Sequence, residues 1–280
     1  MVKKIVISLL LIGTVLASWA FYFEPSSFRL NEEKIIVDRW PPTCNGKRIA
    51  VLADLHVGSP HKGIESLRKL VVAVNKAQPD LVVLPGDFVI QGVVGGSFVT
   101  PELAAKALGK LKAPMGVFAV LGNHDWWLGA GRVARAMTKH GIVMLEDASQ
   151  VITAGDCQLR LVGITDLWEG PSNIEQAMSG IGSGESVLVF THNPDIFPEL
   201  PKSIALTIAG HTHGGQVCFP FAGCPVVPSA FGQRYVRGHV IEEGQHLYVS
   251  SGVGTSILPV RFLVPPEVTI LEVTDQPLSR

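Results

Sequence analysis

The chain has no Cys-x-x-Cys pair. Its four cysteines, Cys44, Cys157, Cys218 and Cys224, therefore do not form a zinc knuckle built on paired thiols. It has no basic excess: 23 Lys+Arg stand against 24 Asp+Glu. Nucleic-acid binders draw their affinity from a basic surface, so no nucleic-acid partner is expected. It has no internal repeat and no low-complexity tract, which sets aside solenoids and disordered arrays. Charge is scarce, at 17% of residues against 47% hydrophobic, and part of the hydrophobicity lies in one segment at the start. The 280 residues suffice for one large domain or two small ones with a substantial core.

Residues 5–23 carry no charge. As a helix they span about 28 Å, near the hydrocarbon thickness of a bilayer. Lys3 and Lys4 precede the run and Glu24-Pro25 end it; Trp19, Phe21, Tyr22 and Phe23 crowd its far end, as in an interfacial aromatic belt. Two readings compete: a retained anchor, or a signal peptide cut after Ala20 at Ser18-Trp19-Ala20. The length and the bulky exit favour the anchor. Lys3 and Lys4 then favour an outward-facing domain, although Arg29, Lys34 and Arg39 on the other side weaken the bias. Outside the cytoplasm, Cys218 and Cys224, six apart, are placed to bridge a loop; as small buried thiols they would need no partner.

The expected organisation is an anchor over residues 1–23, a linker and first strand over 24–46, and a domain over 47–280. The first strand is expected near 34–37. Strand-like apolar runs follow at 48–53, 81–84, 117–121, 186–190 and 204–209. Helical patterns intervene at 64–77, with Ile64, Leu67, Val71 and Val74 on one face, at 101–112 with Pro101 at its start, and near 131–140. Residues 151–163 read as a hairpin, and 235–250 and 267–274 alternate as antiparallel strands do. The fold class is α/β with a largely β C-terminal part.

The chemistry follows the apolar runs. They are succeeded in turn by Asp54-Leu55-His56, Gly86-Asp87, Gly122-Asn123-His124-Asp125, Thr191-His192-Asn193 and Gly210-His211-Thr212-His213. Ligand sites in open α/β sheets gather at the carboxyl ends of strands, so these residues are expected to converge on one rim. Oxygen and nitrogen donors without a thiolate suit manganese, iron or zinc. They are too many for one ion and enough for two, and paired ions are a device of phosphoryl transfer in which a hydroxide lies between the metals. Each short motif alone is weak. Their order, each after a strand-like run, is specific.

These motifs resemble the calcineurin-like metallophosphoesterase superfamily. The resemblance runs from about Arg48 to the C-terminus. Gly210-His211-Thr212-His213-Gly214-Gly215-Gln216 and residues 248–256 are similar to its bacterial membrane-anchored branch. Members of that branch include general phosphodiesterases and enzymes that cleave UDP-2,3-diacylglucosamine in lipid A synthesis. The resemblance implies a four-layer α/β/β/α sandwich of two mixed sheets behind one transmembrane helix, single-pass in the inner membrane. It implies that Asp54, His56 and His213 bind one divalent ion and Asn123, His192 and His211 a second. Asp87 bridges the two, with manganese favoured. His124 faces the substrate as the catalytic side chain. Many relatives carry an Asp three residues after the bridging one to orient that histidine; this chain has Ile90 there.

Trp126-Trp127-Leu128 and the proline-rich residues 217–231 adjoin these motifs. They read either as a greasy wall for a membrane-associated substrate or as core-capping and edge-covering structure. Arg234, Arg237 and Arg261 are candidates for a phosphate or nucleotide diphosphate. The expected substrate is a lipid-linked or nucleotide-linked phosphoester. A phosphatase of loose specificity outside the cytoplasm and a metal-binding protein without turnover are the alternatives.

Overall fold

A computed structural model describes residues 1–276. An apolar helix α1 (Val2–Ser18) continues through a π turn (Trp19–Phe23) into α2 (Glu24–Ser26). An 18-residue stretch of this rod has a mean hydropathy of 2.1, and its α1 part buries no residue against the rest of the chain. The strand β1 (Arg29–Ile36) follows, then β2 (Lys47–Val51), α3 (Ile64–Lys76) and β3 (Leu81–Pro85). Next come α4 (Pro101–Leu108), β4 (Val117–Val120), α5 (Asn123–Lys139) and β5 (Val143–Met144). The hairpin β6 (Ala148–Ala154) and β7 (Cys157–Ile164) leads to α6 (Ile174–Met178), β8 (Val187–Thr191) and β9 (Leu206–Ala209). The chain closes with β10 (Gly238–Glu242), β11 (Gln245–Val249) and β12 (Glu267–Thr274).

Two six-stranded sheets result, ordered β1-β12-β2-β3-β4-β5 and β10-β11-β9-β8-β7-β6. Both are mixed: parallel strands form each centre, β12 runs antiparallel to β2, and β6 and β10 run antiparallel at the edges of the second sheet. The central strands are apolar throughout because both faces are covered. Alternate residues sort by face. Ile49, Val51, Val83 and Phe118 meet Leu161, Leu188, Phe190 and Ile208 between the sheets. Ala50, Val82, Leu84 and Ala119 pack outward with residues of α3, α4 and α5. On the far side, Val162, Val189, Ala209 and Val249 are covered by α6 and a 3-10 turn (Pro194–Glu199). The architecture is the four-layer sandwich, with its second helical layer reduced to short turns.

Several expected boundaries move, each for a local reason. The strand β1 begins at Arg29 rather than near Lys34. It lies at a sheet edge and carries Glu32, Glu33 and Lys34, as edge strands do, so apolar alternation does not mark it. Helix α4 stops at Gly109 instead of running to Lys112. Helix α5 begins at Asn123, well before 131, with Gly129 breaking its regularity at φ 124°. The strand β12 is antiparallel to β2 but parallel to β1; alternation reports faces, not partners.

The cysteines pair as Cys44–Cys157 and Cys218–Cys224. The buried-thiol reading of Cys218 and Cys224 therefore fails. Cys44 and Cys157 lie 113 residues apart, and no sequence spacing announced them; their bridge ties the turn before β2 in one sheet to the start of β7 in the other.

Candidate metal centre

Strands β2, β3, β4, β8 and β9 end toward one rim, and each delivers polar side chains there. Asp54 and His56 follow β2, Asp87 follows β3, Asn123 and His124 open α5 after β4, His192 follows β8, and His211 and His213 follow β9. All eight are buried, none more than 6% exposed. The backbone is contorted to aim them. Asp54, His56, Asp87, His211 and His213 have φ of 49°, 39°, 58°, 70° and 52°. Left-handed conformations at non-glycine residues are costly and concentrate at functional sites. The strands approach so closely that a Cβ at Gly122 would lie 2.3 Å from Asp87 Oδ1, and one at Gly252 2.6 Å from Asp54 Cβ.

Two sets of donor atoms converge. Ligand atoms of Asp54, His56, Asp87 and His213 all lie within 4.8 Å of one another, close enough to share a metal ion. In the other set, His192 Nε2 lies 3.0 Å from Asn123 Oδ1 and 3.1 Å from His211 Nδ1. Asp87 Oδ2 belongs to both sets, 3.2 Å from His56 Nε2 and 3.5 Å from His192 Nε2. The donor chemistry fits divalent cations. His56 Nε2 faces His213 Nε2 at 3.0 Å, as His192 faces His211; a cation between such rings serves both lone pairs, whereas a proton serves one. His192 Nδ1 is 2.7 Å from the Pro85 carbonyl, the contact that orients a ligating imidazole and turns Nε2 to the centre.

The electrostatics have the same sense. Burial pushes the Asp54 carboxyl up to about 6. Burial also opposes the Asp87 anion, but His192 and His56 outweigh it and hold this carboxyl well below the ordinary range. Burial disfavours charge on His192, yet Asp87, Asp54 and Asp166 push the ring up to about 9. The carboxylates thus draw positive charge to this spot. Burial pulls His211 down to about 3 and lowers His213 as well. Both rings are neutral at pH 7, the form that ligates metal.

His124 stands beside this group, its ring 4.7 Å from those of His56 and Trp127. Its backbone N–H donates to Asp87 Oδ1 at 2.9 Å, while its Nδ1 has no hydrogen-bond partner. Ile90, buried, supplies none. Burial lowers the ring to about 4.

The sequence assigns no role to Asp125, the last residue of Gly122-Asn123-His124-Asp125. Asp125 accepts the backbone N–H groups of Asp87 (2.8 Å), Phe88 (3.0 Å), Val89 (3.3 Å) and Gly122 (3.0 Å). It binds the β3 loop to the start of α5. Trp168 was also missed; it follows β7 and sets its ring edge-on against His211 at 4.3 Å. Reading residues 151–163 as a plain hairpin hid this sixth strand end.

The donor sets open into a cavity of about 580 Å³. Its walls include Trp127, Trp168, Val217, Val226, Ile257 and Leu258. Trp127 and the proline loop thus line the cavity, whereas Trp126 packs on the core. No lysine or arginine lines the cavity among the described residues. The expected phosphate-binding arginines are engaged elsewhere. Arg234 forms a two-pronged pair with Glu242, and Arg237 donates to the Leu263 carbonyl. Arg261 is fully buried and donates to the carbonyls of Ser251, Gly252, Gly254 and Val264. His239 and His246 stack on each other across the β10–β11 hairpin.

The chain is 31% identical over 263 residues to phosphodiesterase YaeI of Escherichia coli (strain K12), covering 90% of each. It is 29% identical over 255 residues to the metallophosphoesterase YkuE of Bacillus subtilis (strain 168), covering 90% of this chain and 87% of that one. It is 27% identical over 277 residues to a transmembrane protein with metallophosphoesterase domain of Danio rerio, covering 93% of this chain and 60% of that one. The profile of the calcineurin-like phosphoesterase family matches residues 47–215, the span that holds every residue of the two donor sets. With that match and these relatives, the chain belongs to the calcineurin-like phosphoesterase family, whose members hydrolyse phosphoesters with metal ions.

Proposed function

We propose that this chain is a membrane-anchored, outward-facing phosphodiesterase that uses two divalent ions and takes a substrate with an apolar group beside its phosphoryl group. The observation that carries the reading is the pair of donor sets sharing Asp87 Oδ2 at the floor of an apolar cavity. Asp54, His56 and His213 would hold one ion and Asn123, His192 and His211 the other, with Asp87 shared between them. Nitrogen and oxygen donors suit manganese, iron or zinc, with manganese favoured. When bound, the ions supply Lewis acidity to the phosphoryl oxygens and lower the pKa of water. His124, neutral and with a free ring nitrogen, donates a hydrogen bond to an oxygen gaining charge in the transition state. Trp127 and Trp168 offer apolar surface beside the reacting group.

The rod of residues 2–26 is read as a single pass through the bacterial inner membrane. Two disulfides favour an oxidising compartment for the domain, in agreement with Lys3 and Lys4. That placement, and a cavity wall without a cation for a second phosphate, favour a simple phosphodiester over UDP-2,3-diacylglucosamine. Detergent-solubilised protein supplied with Mn²⁺ tests this directly. Hydrolysis of bis(p-nitrophenyl) phosphate without UMP release from the acylated nucleotide sugar supports the reading. Efficient UMP release overturns the substrate assignment, and loss of neither activity in chelator overturns the metal one.

A further inference from the structure

The N-terminal helix does not hang from the domain by a loose tether; its foot is bound to the wall of the cavity. Glu24, 5% exposed, accepts the backbone N–H groups of Leu263 (3.0 Å) and Val264 (2.6 Å) and the Trp19 indole N–H (2.6 Å). The Ala20 carbonyl accepts the Arg261 N–H at 2.9 Å. Lys62 donates to the Ser27 carbonyl at 2.6 Å, and Tyr22 packs edge-on against His61. A carboxylate so fully engaged fixes the direction of the helix relative to the domain.

The segment that receives the helix also forms the cavity rim. Ile257, Leu258 and Val260 line the cavity, and Arg261 directly after them bonds to the helix. Several side chains of this rim are apolar and exposed. Ile257 is 72% exposed and sits at φ 62°, a conformation that a β-branched residue adopts only under constraint. Leu263, at φ 58°, is likewise held outward. Two further loops carry exposed apolar side chains beside it. Val94, exposed, donates its N–H to the Ile257 carbonyl, Phe98 ends the same loop, and Phe219 packs on Phe262. Exposed apolar side chains on loops linked in this way mark an interaction surface.

We propose that this rim, formed by Val94, Phe98, Phe219, Ile257, Leu258 and Leu263, seats in the surface of the bilayer that the N-terminal helix enters, so that the cavity opens onto lipid. The inference rests on reading residues 2–26 as a membrane span. The occupant is the outer face of that same membrane, because the bonds of Glu24 to Leu263 and Val264 and of Ala20 to Arg261 hold the rim segment at the foot of the helix. The substrate then enters laterally, its apolar group never crossing water.

Single nitroxide labels on the full chain in phosphatidylcholine–phosphatidylglycerol nanodiscs test this. Labels at Ile12→Cys, Phe98→Cys, Leu263→Cys and, as a solvent reference, Val72→Cys report collisions with oxygen, which partitions into lipid, and with a water-soluble nickel chelate. The expected result is a severalfold higher oxygen-to-nickel ratio at Phe98 and Leu263 than at Val72, approaching that at Ile12. If Ile12 lies in lipid while Phe98 and Leu263 match Val72, the seated rim is wrong and the membrane span stands. If Ile12 itself is reached by nickel, the span is wrong and the rim falls with it. In a Glu24→Ala chain with Ile12 still in lipid, the ratio at Leu263 should fall toward that of Val72; an unchanged ratio overturns the role of the clamp.

Discussion

Asp125 accepts the backbone N–H of Asp87 at 2.8 Å and so couples the start of α5 to the loop that carries the shared carboxylate. The Asp125 carboxylate takes three further N–H groups, from Phe88, Val89 and Gly122. Asp87 returns the contact by accepting the His124 N–H. The loop that carries Asp87, itself at φ 58°, is thereby locked to the start of α5.

Replacing Asp125 removes that lock. Asp125→Ala leaves buried N–H groups without acceptors, each costing about 1–3 kcal/mol. The expected outcome is a marked loss of thermal stability together with weaker metal retention, read by melting and elemental analysis. Asp125→Asn, which keeps one acceptor oxygen, should fall between. Wild-type metal content in the Ala variant would show that the lock does not shape the centre.

His124 is placed to act on the reacting group without holding metal. His124→Ala should lower kcat by about 10²–10³, the usual scale for losing one hydrogen-bond donor to an oxygen gaining charge. Its metal content should stay at the wild-type level. A parallel loss of metal would make His124 part of the binding set instead.

The two disulfides should separate in their effects. Loop-closure entropy assigns about 5 kcal/mol to the bridge across 113 residues and about 2 kcal/mol to the one across six. Cys44→Ser with Cys157→Ser should therefore lower the melting temperature more than Cys218→Ser with Cys224→Ser. The second pair holds the loop of Val217 and Val226 that walls the cavity, so its loss should appear mainly in KM.

Stability should also depend on pH through Glu146. Burial pushes its carboxyl from 4.5 up to about 7, although its Oε1 accepts the Leu121 N–H. Thr165 opposes this shift, while Asp147 and Asp166 add to it. Between those pH values the folded chain binds more protons than the unfolded one, so this contribution is greatest below pH 4.5, declines as pH rises and is flat above about 7. Glu146→Gln should remove that slope from melting temperatures measured across the window. An unchanged slope would assign it to other groups.

Much of the centre was legible because its residues are tied to strand ends. A parallel strand covered on both faces must be apolar, so the polar residue just beyond it stands out. Asp54, Asp87, Asn123, His192 and His211 were all visible in this way, and the structure sets them side by side. What was hidden depends on chain distance or on hydrogen bonds that no pattern encodes. Cys44 finds Cys157 only after both sheets form. Asp125 works through backbone N–H groups of another loop, which leave no mark on sequence periodicity. Arg261 looked like a phosphate ligand, yet its guanidinium lies buried among carbonyls of its own loop. Glu24 looked like the polar end of an anchor and is a clamp on residues 263 and 264.

The central claim is that two ions share Asp87, and metal stoichiometry tests it most directly. The purified full chain, loaded with Mn²⁺ and freed of excess, should carry two ions per chain by elemental analysis. Asp87→Ala should lose both, along with hydrolysis of bis(p-nitrophenyl) phosphate. One ion per fully active chain, or an Asp87→Ala variant that retains two ions and turnover, would contradict the account.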